Sequence, residues 1–375
     1  MAKVQTNKIV VVLSSHTPSL FWFRMDMMEE FLARGWRVYA LANEDESSWR
    51  DKFEAHGIVY RQIHVQRNGM NPFQDLKAFL SIRKELADIR PDKIFAFQAK
   101  TIIYGGIAAR SLGVQEFYPL IAGMGSIFLN DDLRTRLVRG IVSTEYRLAL
   151  RHCPAVFFQN RDDEALFRDN RIIRGQKVVM LHGSGVSIER FQPTPLPAQP
   201  AFLCIARLIR DKGVIEYLDA CRMIHGIHPE VRCMLVGPYD TNPSAVKAED
   251  LEPYIRDGSV EYLGAADDVR PYFAQASVFV LPSYREGTPK TNLEAMACGR
   301  PVITTDAPGC KETVVDGENG FLVPVKDSRA VFEKMLWSVD HPEEIAGMGL
   351  KGRKLAEESF DVKKVDEEIC RAMGI

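Results

Sequence analysis

Two glutamates, Glu286 and Glu294, have the residue type and spacing that most directly indicate chemistry in this 375-residue chain. They lie in a segment that reads as an apolar strand, a short polar turn and a helix, with Thr288 as N-cap and Pro289 at the first helical position. The positive end of such a helix favours an anion. A phosphate held there would have one carboxylate near a sugar hydroxyl and the other near a ribose. A capped helix with two ordinary glutamates would show the same spacing.

Two cations occupy a comparable position earlier in the chain. Arg207 and Lys212 follow the apolar run Ala201–Ile205 and precede a helix that begins near Val214. Open α/β sheets bind ligands at the carboxyl ends of their strands, and both side chains suit phosphate. Gly237 follows another apolar run and would let a ligand approach the backbone. Solvated charges at a strand end are the alternative interpretation of this pair.

The elements that must position these residues show a regular order, because apolar runs alternate with helical patterns along the whole chain. This alternation predicts parallel sheets covered by helices on both faces. The predicted strands are Ile9–Leu13, Val38–Ala42, Lys93–Phe97, Phe117–Ala122, Val156–Phe158, Val178–Leu181, Ala201–Ile205, Val231–Val236, Val260–Tyr262, Val278–Leu281, Pro301–Thr304 and Gly320–Val323.

A proline-rich segment over residues 191–200 separates two sets of strands. We therefore predict an N-terminal Rossmann-like domain over 1–190, a linker over 191–200 and a C-terminal Rossmann-like domain over 201–360. The chain from Pro342 onwards reads as helical.

Composition is that of a globular protein, with 46% hydrophobic and 26% charged residues. No apolar run approaches the roughly 18 residues that a membrane-spanning helix needs. The first run, Ile9–Leu13, is too short for a signal peptide. Seven cysteines occur without a Cys-x-x-Cys pair, which indicates reduced thiols and a cytoplasmic location.

Charge is distributed unevenly between the two halves. Residues 1–190 carry 27 Lys and Arg against 21 Asp and Glu, whereas residues 191–375 carry 21 against 29. The basic half predicts contact with an anionic partner, and the helical stretch 133–151 could lie on an anionic membrane surface. A core-packed helix with solvated arginines would give the same pattern. The stretch contains Arg134, Arg136, Arg139, Arg147 and Arg151, with Leu133, Leu137, Val138, Ile141, Val142 and Leu148 as its apolar stripe. Phe21, Trp22 and Phe23 beside Arg24 either form a second interfacial anchor or simply pack.

The second half of the chain resembles the family 4 retaining glycosyltransferases, which have the GT-B fold. The resemblance rests on the segment 206–213, the pair Glu286 and Glu294, and the segments 299–305 and 309–323. It implies two Rossmann-like domains whose parallel sheets face across a cleft, and a last helix, 361–375, that crosses back to the N-terminal domain. The implied catalytic residues are Glu286, Arg207 and Lys212, and the implied donor-binding residues are Glu294, Gly237, Gly287, Thr288, Pro289, Lys290 and Thr291.

The first half is more loosely similar to bacterial members that extend polyprenyl-diphosphate-linked oligosaccharides, through segments 71–73 and 121–128. The loop after the first strand has no Gly-Gly pair of the kind common in the family, so His16 is its polar candidate. Gln98 stands where the family commonly has a histidine. The acceptor-side candidates are His16, Gln98, Lys100, Gly123, Gly125 and Ser126.

The resemblance implies a metal-independent enzyme that moves a hexose or N-acetylhexosamine from a UDP-sugar to a lipid-linked saccharide by front-face displacement. No Asp-x-Asp triplet offers a divalent-ion site on a diphosphate, so neither a metal nor another cofactor is expected. The expected location is the inner face of the cell membrane, and no nucleic-acid partner is expected. A UDP-sugar epimerase of the same architecture is one alternative. A dinucleotide-binding oxidoreductase is another, but Leu13-Ser-Ser-His-Thr-Pro18 lacks the glycine motif that it needs.

Overall fold

The chain forms two compact α/β units. The structure, a computed structural model, describes residues 8–66, 69, 71–123 and 133–375. The first unit comprises the chain up to Ser184 together with Val362–Ile375, and the second comprises Gly185–Asp361.

A seven-stranded parallel sheet forms the centre of the first unit, in the order β3-β2-β1-β4-β5-β6-β7. Apolar runs such as Val10 to Leu13 are fully buried, as expected of strands that are covered on both faces. The strands are β1 Ile9–Leu13, β2 Arg37–Ala42, β3 Val59–Gln62, β4 Lys93–Phe97, β5 Phe117–Ile121, β6 Ala155–Phe158 and β7 Lys177–Met180, and the helices are α1 Thr17–Ala33, α2 Glu46–Glu54, α3 Pro72–Ile89, α4 Ala99–Ser111, α5 Leu133–Leu150 and α6 Arg161–Asp169.

The second unit has a six-stranded parallel sheet in the order β10-β9-β8-β11-β12-β13. Its strands are β8 Ala201–Ile205, β9 Arg232–Val236, β10 Glu261–Tyr262, β11 Val278–Leu281, β12 Val302–Thr305 and β13 Gly320–Val323. Its helices are α7 Val214–His225, α8 Ala248–Arg256, α9 Arg270–Ala274, α10 Lys290–Ala297, α11 Ser328–Asp340 and α12 Pro342–Ser359, and α13 Val362–Met373 follows as part of the first unit.

Each sheet has a point at which its strand order reverses. In the first unit β1 lies beside β4, and in the second β8 lies beside β11, so the chain winds outward in both directions from these pairs. The loops that leave adjacent strands there diverge and open a crevice at the carboxyl edge, where α/β sheets bind ligands. The loops after β8 and β11 carry the predicted cations and carboxylates.

The proline-rich segment 191–200 was expected to be a linker, but it is fixed to the second unit. Arg300, which is 1% exposed, donates hydrogen bonds to the carbonyl oxygens of Thr194 (2.6 Å) and Pro195 (3.1 Å). Arg353 donates to the carbonyl of Phe191 at 2.6 Å. The change of unit therefore falls at Ser184 rather than at residue 190.

The residues of the two candidate anchors differ in exposure. Arg24 is 2% exposed, its guanidinium lies 5.2 Å from the Phe97 ring centroid, and burial lowers its pKa to about 10 against the raising effect of Asp366. The neighbouring Trp22 and Phe23 are both 43% exposed, and Ile141 and Leu148 of the apolar stripe on α5 are 55% and 48% exposed.

Within the described residues, no helix is long and apolar enough to cross a membrane. All seven cysteines are buried and unpaired.

Candidate functional site

The loops that follow β8 and β11 are held against each other in the second unit. Gly213 has φ +68°, and a Cβ atom there would lie 2.0 Å from the carbonyl oxygen of Pro282, so any other residue would collide with the neighbouring loop. The Tyr284 N–H donates to the carbonyl of Asp211 at 2.9 Å. These two backbone approaches fix the position of Lys212, which lies between Asp211 and Gly213.

Lys212 and Glu286 form a salt bridge across the two loops, and their side chains are 22% and 12% exposed. The Glu286 backbone is fixed from its other side, because its N–H donates to the carbonyl of Pro308 at 2.9 Å. Gly309, with φ +84°, makes this packing possible, since a Cβ there would lie 2.2 Å from the Glu286 carbonyl oxygen. The predicted catalytic pair is therefore in direct contact and rigidly supported.

Arg207 is oriented by an aspartate that the sequence analysis missed. Its Nη1 donates to Oδ2 of Asp240 at 2.7 Å, and Oδ1 of Asp240 accepts from the N–H of Asn242 at 2.8 Å. Gly237 lies three residues before Asp240. A Cβ atom added at Gly237 would lie 1.7 Å from the carbonyl oxygen of Ala206, so the loop after β9 packs directly on the residue before Arg207. The segment Gly237-Pro-Tyr-Asp240 directly follows a predicted strand, and this position was the feature of the sequence that could have indicated Asp240 as a site residue.

The turn before α10 differs by one residue from the expected cap. Pro289 is the N-cap and Lys290 begins the helix, whereas Thr288 was expected at the cap and Pro289 inside the first turn. Pro289 adopts an extended backbone with φ −69° and ψ 113°, and its carbonyl accepts from Asn292 at 3.0 Å. The positive end of α10 remains directed towards the segment Gly287–Thr291, as predicted for an anion site.

Glu294 lies on the buried side of α10 and is 8% exposed. Burial raises its pKa to about 7, with Asp268 acting in the same direction and the nearby Lys290 and Arg190 opposing it. A carboxylate in such surroundings is costly to the folded protein and is typical of functional sites. The two glutamates thus have different environments: Glu286 is paired with Lys212, whereas Glu294 is buried and forms no salt bridge within the part of the chain that the structure describes.

In the first unit, Gln98 joins the loops that follow β1 and β4. Its Oε1 accepts hydrogen bonds from Ser14 Oγ (2.9 Å), Ser15 N (2.8 Å) and Ser15 Oγ (2.8 Å). Its backbone has φ +74° and ψ 141°, a region that residues other than glycine rarely adopt. Strain of this kind is concentrated at functional sites.

The other acceptor-side candidates differ in their polar contacts and in whether the structure describes them. His16 lies at the start of α1, with Nδ1 2.9 Å from Ser19 Oγ and Nε2 3.9 Å from Glu44 Oε1. Lys100 is paired with Asp75 at 2.7 Å and is 14% exposed. Gly123 follows β5 with φ +90°, and Gly125 and Ser126 lie outside the described residues.

No group of three or more His, Cys, Asp or Glu side chains suited to a metal ion occurs in the part of the chain that the structure describes.

Two Rossmann-like units, each with its polar loops at a strand-order reversal, form the architecture of the GT-B glycosyltransferases. HepE of Anabaena, solved in complex with UDP, matches with a TM-score of 0.77 over 98% of this chain and 100% of its own, at 17% identity. Sucrose-phosphate synthase from Thermosynechococcus elongatus matches with a TM-score of 0.79 over 98% of both chains, at 21% identity.

The chain belongs to the family 4 glycosyltransferases. The family model described as Glycosyl transferase 4-like matches residues 10–160, and that described as Glycosyl transferases group 1 matches residues 199–341. The N,N'-diacetylbacillosaminyl-diphospho-undecaprenol alpha-1,3-N-acetylgalactosaminyltransferase of Campylobacter jejuni is 28% identical over 86% of this chain and 87% of its own. The putative glycosyltransferase EpsD of Bacillus subtilis is 29% identical over 94% and 91%.

Proposed function

We propose that this glycosyltransferase moves a hexose or N-acetylhexosamine from a UDP-sugar to a polyprenyl-diphosphate-linked saccharide, with retention of anomeric configuration. The name of the Campylobacter jejuni relative, which aligns over most of both chains, supports the lipid-linked acceptor. The UDP complex of HepE supports the nucleotide. The observation that carries the proposal is the Lys212–Glu286 pair at the strand-order reversal of the second unit.

In the proposed donor complex, the diphosphate lies by Arg207, Lys212 and the N-terminus of α10. Both cations contact carboxylates, Arg207 with Asp240 and Lys212 with Glu286. A diphosphate that takes over the Lys212 ammonium would release Glu286 to accept a hydrogen bond from a donor-sugar hydroxyl. The Glu286 carboxylate would then exchange an ion pair for hydrogen bonds from the sugar, which satisfy a partly buried charge that would otherwise be left without a partner.

Catalysis in this proposal depends on stabilising the leaving group. Negative charge grows on the UDP diphosphate as the glycosidic bond breaks, and fixed cations and backbone N–H groups stabilise such charge more strongly in the transition state than in the ground state. The leaving phosphate oxygen takes the proton of the acceptor hydroxyl, which attacks from the same face and so preserves the configuration. We propose that no resident metal ion is needed, because Arg207 and Lys212 supply the positive charge.

The ribose contact is assigned to Glu294. A ribose has two neighbouring hydroxyl donors, and a buried carboxylate whose pKa is raised to about 7 gains more from such donors than an exposed one would. When the nucleotide binds, the two ribose hydroxyl groups donate hydrogen bonds that replace those from the water that the Glu294 carboxylate lost on folding. The acceptor side is assigned to the first unit, with the strained Gln98 and the neighbouring His16 as the polar contacts.

A membrane contact on the cytoplasmic face is part of the proposal. Helix α3 exposes Phe73, Leu76 and Leu80 at 84%, 56% and 53%, and the spacing places all three on one helical face. Exposed apolar side chains in such a row fit the acyl boundary of a bilayer, and Arg136 and Arg139 of α5 fit its anionic headgroups. Access to a lipid-linked acceptor requires such a position.

The direct test of the donor assignment is a thermal-shift panel of UDP-, GDP- and ADP-sugars. A ligand at about 100 times its Kd stabilises the folded state by about 2.7 kcal/mol, so a true donor class raises the melting temperature measurably. Product analysis with and without the acceptor then separates transfer from epimerisation. A sugar converted into its epimer without acceptor would favour the epimerase alternative.

A further inference from the structure

A second concave site lies in the first unit, on the opposite edge of its sheet from Gln98. It is a pocket of about 890 Å³ formed where the chain enters β5, β6 and β7. The segments that line it are the ends of α4 and α5 and the loop from α6 to β7. Because these strands are four or five residues long, this edge lies about 15 Å from the carboxyl edge. The pocket is therefore separate from the loops of the first unit that carry His16 and Gln98.

The pocket is strongly basic. Its lining includes the side chains of Arg110, Arg147, Arg151, Arg171 and Arg174 together with His152, and none of the described residues that line it is an aspartate or a glutamate. Within the described chain, no carboxylate forms a salt bridge with any of these arginines, whereas Arg34, Arg50, Arg61 and Arg168 of the same unit each have such a partner. Five guanidinium groups gathered without a counter-charge repel one another, and an anion in the pocket would relieve that repulsion.

Close packing of two helices brings these cations together. Gly106 on α4 allows this, because a Cβ there would lie 2.8 Å from the carbonyl oxygen of Ala149 on α5. Arg110 is one helical turn beyond Gly106, and Arg151 follows the end of α5, so both emerge at this contact. The pocket is consequently a product of the packing of the fold rather than of mobile surface side chains alone.

Besides the ends of α4 and α5, the pocket is lined by the loop that carries Arg174, and hydrogen bonds fix this loop in place. Oε1 of Gln176 accepts from the N–H groups of Arg174 (2.8 Å) and Gly175 (3.1 Å), and its Nε2 donates to the Leu150 carbonyl at 2.9 Å. Arg147 donates to the carbonyl oxygens of Asn170 (3.1 Å) and Arg171 (3.2 Å), which ties α5 to the end of α6. Arg147 therefore has a structural role, while Arg110, Arg151 and Arg174 are exposed and available to a ligand.

We infer that this pocket binds a phosphate-bearing ligand, either a free phosphorylated compound or the headgroup of an anionic lipid. Guanidinium groups present paired N–H donors that match phosphate oxygens, and the volume is within the range of small-ligand sites. Apolar side chains, among them Val114, Leu148 and Ile172, line the same pocket and suit the organic part of such a molecule.

The test compares two triple variants that remove the same charge. Arg110→Gln/Arg151→Gln/Arg174→Gln removes three of the four exposed arginines of the pocket and leaves Arg147 and Arg171 in place. The control, Lys8→Gln/Arg37→Gln/Lys52→Gln, removes three exposed cations from the region of β1, β2 and α2 in the same unit. Equal melting temperatures of the two variants and the wild type establish that both variants are folded.

Binding of inorganic pyrophosphate is measured by calorimetry with UDP present in excess, so that the donor site is occupied. We expect the pocket variant to bind at least about tenfold more weakly than the wild type, as loss of charge-assisted hydrogen bonds requires, and the control to differ by less than about twofold. Phosphatidylcholine vesicles with and without phosphatidylglycerol form the second arm. Loss of phosphatidylglycerol-dependent binding in the pocket variant, with competition by pyrophosphate, identifies a lipid headgroup.

Loss of pyrophosphate binding with unchanged vesicle binding identifies a free phosphorylated ligand instead. Equal losses in the pocket variant and the control, or binding of neither probe by the wild type, would overturn the inference. These results are independent of the proposed function, because a protein that failed to bind UDP would still show the difference between the two variants.

Discussion

Replacing Glu294 with glutamine should stabilise the protein and impair donor binding. Burial raises the pKa of this carboxyl from 4.5 to about 7, so between these values the folded protein holds a proton that the unfolded chain has released. The unfolding free energy therefore falls as pH rises through this window and levels off above pH 7. Glutamine has the same shape and does not titrate. The stability gained from Glu294→Gln should grow by about 2.5 kcal/mol between pH 5 and pH 8.

Denaturant unfolding of both proteins at pH 5, 6, 7 and 8 measures this difference. Glu249→Gln is a matched control, because the Glu249 side chain is 75% exposed and the substitution should leave the pH profile unchanged. Binding of a UDP-sugar to Glu294→Gln should be weaker by about tenfold or more, since hydrogen bonds to a charged group contribute about 1.5–3 kcal/mol. A stability difference that is independent of pH, or a variant less stable than the wild type at pH 8, would refute the reasoning.

Three further predictions follow from the same site and from the surface of the first unit. Loss of either diphosphate cation, through Arg207→Ala or Lys212→Ala, should lower turnover by about 10²–10³, the effect of removing one transition-state donor, whereas Arg210→Ala should not. Transfer should survive saturating EDTA, and a complete loss that magnesium restores would contradict the metal-free proposal. Binding to anionic vesicles should fall with rising salt. It should also weaken when Phe73, Leu76 and Leu80 of α3 are replaced by serine, or when Arg136 and Arg139 of α5 are replaced by glutamine.

Two controls make these results interpretable. Arg210 neighbours Lys212 in sequence but pairs with Asp250 at 3.4 Å, so Arg210→Ala removes a nearby charge without touching the proposed diphosphate site. For the vesicle experiment, Ile227→Ser and Leu350→Ser remove apolar side chains of 56% and 70% exposure from the second unit. If these controls weaken vesicle binding as much as the α3 variants do, the assignment of the membrane surface to α3 is wrong.

The sequence predicted nearly all of the strands because most of them are apolar runs that the sheet buries on both faces. It missed β3, Val59-Tyr-Arg-Gln62, because an edge strand with polar residues has no such run. It located Lys212 and Glu286 because both follow buried strands. It missed Asp240, because which side chain reaches Arg207 depends on the close approach of Gly237 to Ala206.

The direction in which a side chain points was the other feature that the sequence did not predict. The sequence order placed Arg24 among aromatic residues, but the helical rotation of α1 turns it inward towards Phe97. The basic pocket was also invisible in sequence, because Arg110, Arg151 and Arg174 come from three separate segments that meet only when α4 packs on α5. Such long-range convergence leaves no local pattern of residues.

The measurement that tests the central claim most directly is the anomeric configuration of the product. The protein is incubated with the UDP-sugar that stabilises it and a polyprenyl-diphosphate-linked saccharide, and the new linkage is analysed by the anomeric proton coupling in NMR. The account predicts one added sugar with the same α configuration as in the donor. A β linkage, or a donor that is consumed without any sugar appearing on the lipid-linked acceptor, would contradict it.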